Sequence, residues 1–234
     1  MISRSVIPTL SFILLAMAVT HGDRSVVAAP LSEPGLKELK FITESKYIEP
    51  GSTITVGLRI VPDEGHHTYW RGPGIVGVAT VIEWDLPEGF EAGPIQWPAP
   101  EKVDMVGITA NGYKGDTILL TEIKIPEDLP RGAFHLHAKI AWMSCATSCN
   151  PGVTKRTIGF LHDPDEKPQT RSAMKLLFDS VRKEMPEPAP EEWVHTVSLP
   201  DKETIKLKVS VPGIDRSWAK GLEFFCDDMQ VDSN

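Results

Sequence analysis

The chain has 234 residues, with 24 lysines and arginines against 32 aspartates and glutamates, for a formal charge of −8. An acidic chain without a basic stripe is a poor binder of nucleic acid. Twenty prolines and eighteen glycines among short apolar runs point away from a helical bundle and towards a β-rich fold. No nucleophile elbow or metalloprotease motif is present, which sets hydrolase chemistry aside.

In chain order, Arg4 precedes an apolar run from Val6 to Val19 that is broken only by Pro8, Thr9 and Ser11. Small residues follow, in Ala16-Met17-Ala18 and in Val27-Ala28-Ala29-Pro30. This is the layout of a secretory signal peptide over residues 1–29, with cleavage after Ala18, Gly22 or Ala29 left open. The run is short for a membrane span. Nothing later is apolar enough to cross a bilayer, so the expectation is a periplasmic or secreted protein with no stable membrane insertion. Arg4, Asp23 and Arg24 contribute +1, which leaves −9 on residues 30–234.

Residues 30–165 carry the pattern of an all-β domain. Ile54, Val56, Leu58 and Ile60 alternate with Thr53, Thr55, Gly57 and Arg59, the period of two that makes a half-buried strand. Ile82, Trp84 and Leu86 repeat it before Pro87-Glu88-Gly89, and Thr117 to Ile125 forms another strand closed by Pro126. Phe134, Leu136, Ala138, Ile140 and Trp142 make the cleanest apolar face, with His135, His137 and Lys139 opposite. Val153 to Leu161 reads as the return strand. Short strands separated by turn signals, with no helices between them, predict an all-β antiparallel sandwich.

Residues 166–190 change character. Met174, Leu177, Phe178 and Val181 have helical spacing, and Pro186-Glu187-Pro188-Ala189-Pro190 reads as a stiff linker. Beyond it, residues 191–234 hold two strands, Trp193 to Leu199 and Ile205 to Val211, as a partial second β-module. A strand pair of this kind is marginal alone.

Two of the three cysteines, Cys145 and Cys149, flank Ala146-Thr147-Ser148 between the two best strands. In a hairpin their Cα atoms would lie about 4.5–5.5 Å apart, within disulfide range. Outside the reducing cytosol such a pair closes. Closing so short a loop gains little entropy, which weakens a purely stapling role. The spacing also lacks the helix N-terminus that activates a Cys-x-x-Cys thiol. On spacing alone, a staple and a working disulfide both stand. His135 and His137 face the same way on one strand and, with the soft thiolates, form a weak alternative for Cu(I) or zinc, against the plainer reading of solvent-facing histidines. His66 and His67 have no partner that the sequence identifies. Cys226 is the odd cysteine, read as a non-catalytic thiol.

Several motifs occur together and in order: His67-Thr68-Tyr69-Trp70-Arg71-Gly72-Pro73-Gly74, Ile82-Glu83-Trp84-Asp85-Leu86-Pro87, Gly93-Pro94-Ile95-Gln96-Trp97-Pro98, Gly112-Tyr113-Lys114-Gly115, and Trp142-Met143-Ser144-Cys145 through Cys149-Asn150-Pro151-Gly152. Over residues 36–162 they resemble the N-terminal periplasmic domain of DsbD-type thiol:disulfide interchange proteins, including the ScsB-like branch. The resemblance implies an immunoglobulin-like β-sandwich, in which Cys145 and Cys149 are a redox-active pair and Tyr113 lies in an aromatic cap loop shielding it. It places Tyr69 and Trp70 at a family aromatic position, where plain core packing is the alternative reading. It implies a thiol:disulfide oxidoreductase-type relay without cofactor or metal. The partners it implies are a separate membrane electron-transfer protein and periplasmic thioredoxin-fold or cytochrome c maturation proteins. Family members continue into a membrane domain and a thioredoxin-like domain, so a truncated member is a further expectation. The competing readings are a copper-binding, copper-tolerance protein using the same cysteines, and a binding sandwich whose disulfide never cycles.

Overall fold

In the computed structural model, residues 33–201, 203–213 and 221–228 are described. The expected signal peptide over 1–29 lies outside them. Four strands make the first sheet: β1 (Leu36–Thr43), β2 (Thr53–Pro62), β8 (Thr117–Lys124) and β5 (Glu91–Gln96), in the order β1-β2-β8-β5. The second sheet runs β10-β9-β4, built from β4 (Val81–Asp85), β9 (Gly132–Cys145) and β10 (Cys149–His162). A third, small sheet runs β3-β7-β6, from β3 (Thr68–Tyr69), β6 (Glu101–Met105) and β7 (Ile108–Tyr113). Neighbouring strands are antiparallel in all three sheets. The fold is the expected immunoglobulin-like sandwich.

Alternation sets the packing. Leu136, Ala138, Ile140 and Trp142 are buried on the inner face of β9, and His135, His137 and Lys139 are exposed on the other. Leu39, Leu58, Ile60 and Leu119 of the first sheet meet Ile140 and Trp142 of the second in one core cluster, which Trp70, Trp97 and Tyr113 close at one end. Val56, Ile123, Leu136 and Phe160 fill a second cluster with Phe90, Ile48, Ile125 and Leu129. β8 is apolar on both faces because its outer side chains, Ile118 and Leu120, are covered by α1 (Ser172–Lys183). Phe178 and Val181 bury against that face, and Arg182 holds the helix down through paired contacts to Glu44 at 3.1 and 2.5 Å.

After the helix, β11 (Val194–Ser198) and β12 (Lys206–Ser210) form an isolated hairpin, exposed along its whole length. Within the described part of residues 221–228 there is no strand. Instead Phe225 packs edge-on to Trp70 at 6.2 Å under the Lys102 ammonium, and Asp227 pairs with Arg71 at 3.3 Å. Gly72 permits this return, since a Cβ there would fall 2.4 Å from the Asp227 Cα. Among the described residues no helix is long and apolar enough to cross a membrane.

Candidate redox site at the end of the long hairpin

β9 and β10 form the longest ladder of the molecule, and its register places Cys149 directly opposite Cys145. A three-residue loop, Ala146 to Ser148, joins them, with the Ala146 N–H donating to the Ser148 carbonyl at 3.0 Å. The two cysteines are joined by a disulfide with their Cα atoms 4.1 Å apart. Two glycines make room for aromatic rings at this end of the sandwich, one on each face of the sheet. An added Cβ on Gly152, opposite Trp142 in the register, would lie 2.1 Å from that indole ring. At Gly77 the backbone has φ of +98°, and a Cβ would lie 2.2 Å from the Tyr69 ring.

The pleat decides where the sulfurs point. Successive strand residues face opposite ways, so Cys145 and Met143 share the outer face of β9 while Ser144 and Trp142 face inward. At this end the outer face is not solvent. The small β3-β7-β6 sheet covers it, and Cys145 is packed among Tyr69, Val103 and Ala110 with Val76, Met105 and Met143. Cys145 is 0% exposed, whereas Cys149 is exposed. The backbone of Cys145 is clamped on its other side by His67, each N–H donating to the other's carbonyl at 2.9 and 3.0 Å.

Over the exposed sulfur lies Met105, whose Sδ is 3.9 Å from the Cys149 Sγ. It ends β6 at the tip of the β6–β7 hairpin. Val106 and Gly107 there have φ of +52° and +83°, the two left-handed residues of a tight hairpin turn. The Asp104 carboxylate accepts from the Gly107 N–H at 3.1 Å and helps hold this turn, which is costly for a β-branched residue.

The residues named from the sequence therefore separate. Cys145, Cys149 and Tyr69 come together. Tyr113 and Trp70 instead join the main core, where the Tyr113 hydroxyl donates to the Pro98 carbonyl at 2.8 Å. Burial pushes the Tyr113 phenol well above the ordinary tyrosine range. The tip of the β6–β7 hairpin brings Met105 to the sulfurs, and Tyr113 lies at the far end of β7. His135 and His137 do not accompany the cysteines. Eight residues of β9 separate His137 from Cys145, about 26 Å of strand. His137 instead contacts Thr157 Oγ1 at 2.8 Å, and its ring stacks with that of His135. Among the described residues, no three His, Cys, Asp or Glu side chains converge as a metal site.

His67 and Met105 went unrecognised as site residues in the sequence. His67 is 4% exposed, and its Nε2 lies 3.2 Å from the Tyr69 hydroxyl with the rings edge to face. Desolvation lowers its pKa, as do the charges of Lys114 and His66, against an opposing pull from Asp104. The sequence held one usable signal, the i, i+2 spacing of His67 and Tyr69, which puts both rings on one side of a strand.

Residues 38–160 match the family described as thiol:disulfide interchange protein DsbD, N-terminal. No curated protein matches the chain in sequence. Among solved structures, the chain resembles the N-terminal periplasmic domain of ScsB from Proteus mirabilis, with a TM-score of 0.50 at 16% identity, covering 76% of this chain and 80% of that one. The reduced DsbD N-terminal domain of Neisseria meningitidis aligns at 13% identity with a TM-score of 0.33, over 58% of this chain and 91% of that one. The PapD-like domain 7 of human CEP192 aligns at 12% identity with a TM-score of 0.24, over 64% and 96%.

Proposed function

Because the chain belongs to the family of DsbD N-terminal domains, we propose that it is an exported thiol–disulfide exchange module working through Cys145 and Cys149. It relays reducing equivalents from a membrane thiol–disulfide protein to periplasmic thioredoxin-fold or cytochrome c maturation partners. The leader over residues 1–29, the sandwich over 30–165, the helix and linker over 166–190 and the partial β-module over 191–234 are the organisation that goes with this reading.

The observation that carries it is the unequal burial of two directly opposed, disulfide-bonded sulfurs within the matched region. A thiolate needs in-line access to one sulfur. Cys149 offers that access once Met105 swings aside, and Cys145 does not. In the loading direction the donor thiolate attacks the Cys149 Sγ, the Cys145–Cys149 bond breaks, and the electron pair leaves on Cys145. A donor–Cys149 mixed disulfide results, and a second donor thiol releases it to leave two protein thiols. In the delivery direction Cys149 attacks a partner disulfide, and Cys145 then attacks Cys149, expelling the partner as a thiolate. Two electrons have then moved to the partner.

The test is equilibration of the full chain across graded thiol redox buffers, followed by trapping of free thiols and mass analysis. A midpoint between about −180 and −270 mV is the expected result, the range of exchange-competent pairs. A pair still oxidised below about −300 mV is a structural staple, and that result overturns the reading.

A further inference from the structure

We propose that His67 is the base that takes the proton from the buried Cys145 thiol when the reduced pair passes its electrons on, with Tyr69 orienting the imidazole. The inference rests on the exchange reading above.

The geometry starts from the backbone. His67 and Cys145 exchange both N–H···O bonds, so they are a directly opposed antiparallel pair. Side chains of such a pair project from the same face, with Cβ atoms about 5 Å apart. The His67 imidazole and the Cys145 sulfur are therefore neighbours in the space between the second sheet and the small covering sheet. Tyr69 follows two residues on from His67, on that same face, and packs against Cys145.

The chemistry needs such a group. A thiol must lose its proton to act as a nucleophile. Cys145 is 0% exposed and packed against apolar side chains and Tyr69, so bulk water does not reach it. Apolar enclosure also holds a thiol in its protonated form. His67 is buried beside it. Burial first, and then the charges of Lys114 just beyond β7 and of His66, favour the neutral ring against the opposing pull of Asp104 on β6, while the Tyr69 hydroxyl lies within hydrogen-bond reach of its Nε2. A neutral ring is the form that accepts a proton. We assign the tautomer in which Nε2–H donates to the Tyr69 oxygen, which leaves Nδ1, the nitrogen nearer the ladder, with its lone pair free.

The Cys145 S–H proton moves to His67 Nδ1, giving a thiolate and an imidazolium whose Nε2–H stays on Tyr69. The thiolate attacks the Cys149 Sγ of the mixed disulfide. The Cys145–Cys149 bond forms, the Cys149–partner bond breaks, and the partner sulfur leaves with the electron pair. The imidazolium then returns its proton to the departing thiolate or to water.

The experiment uses the reduced full chain and oxidised glutathione as the probe. Rapid acid quenching and mass analysis follow first the glutathione adduct on Cys149 and then its resolution by Cys145, from pH 5 to 9. For the wild type, resolution slows as the imidazole takes up a proton at the acid end. His67→Gln is expected to slow resolution by about a hundredfold, the lower range for general base catalysis, and to remove the acid inflection while leaving adduct formation unchanged. Tyr69→Phe keeps the ring and its packing, and is expected to displace the acid inflection with a smaller loss of rate. It remains informative where His67→Gln does not fold. Either variant resolving at the wild-type rate with the wild-type pH profile overturns the role of His67. A wild type that never forms or resolves the adduct overturns the exchange reading itself, so the two failures are distinguishable.

Discussion

Gly152 occupies a place where no side chain fits, because the Trp142 ring lies across it. Gly152→Ala should force the indole or β10 to shift, at about 1–3 kcal/mol of overpacking. The check is a lower urea midpoint with an unchanged slope. Met105 works in the opposite sense. Its loss removes little core, but it uncovers the one reachable sulfur. Met105→Ala should speed reduction of the disulfide by a small thiol several-fold while leaving its midpoint potential nearly unchanged, as stopped-flow and redox titration would read. At this scale the cysteine pair was legible in the sequence, since its spacing and flanking strands fix the hairpin. Met105 and His67 were not. Met105 acts from a turn whose Val106-Gly107 pair lacks the Asn-Gly or Asp-Gly signature of a tight hairpin. His67 acts through a pairing with a strand 78 positions further along the chain, which no local pattern encodes.

Among the elements, β2, β4 and β9 were readable from their alternation, β8 from the proline that closes it, and β10 as the return strand after the cysteines. β3 has only two residues, and β5 carries Gly93-Pro94, which breaks both the pattern and the register with β8. The helix was visible in its spacing, but its berth was not. That emerges only because Ile118 and Leu120 make β8 apolar on the face where solvent would otherwise lie. Phe178 is 0% exposed in that berth, and Phe178→Ala should cost about 3–5 kcal/mol. Since α1 lies on the first sheet and the sulfurs on the second, this loss should appear in chemical denaturation with the redox midpoint unmoved. A shift in the midpoint would mean that the helix and the disulfide are coupled.

For the whole molecule, stability should depend on pH at both ends. The His67 pKa is lowered in the folded state, so the unfolded chain binds that proton first, and stability falls as pH drops below about 6.5. The Tyr113 phenol is shifted upward, so the unfolded chain releases its proton first, and stability falls as pH rises past about 10. Tyr113→Phe should flatten the alkaline limb and cost about 1 kcal/mol at neutral pH through the lost bond to Pro98. Thermal melts across the pH range read both effects.

The register that sets Cys145 against Cys149 also joins residues that the ladder has already brought together. Opening that bond releases only a five-residue ring, worth about 2 kcal/mol in chain entropy, so the sandwich should stay folded in either state, and less stable by about that much when reduced. For the exchange proposed here, a visiting protein then meets a folded sandwich whether the module is loaded or empty. Traffic through the pair would be governed by the relative electron appetites of donor and acceptor, as current through a contact follows the voltage across it.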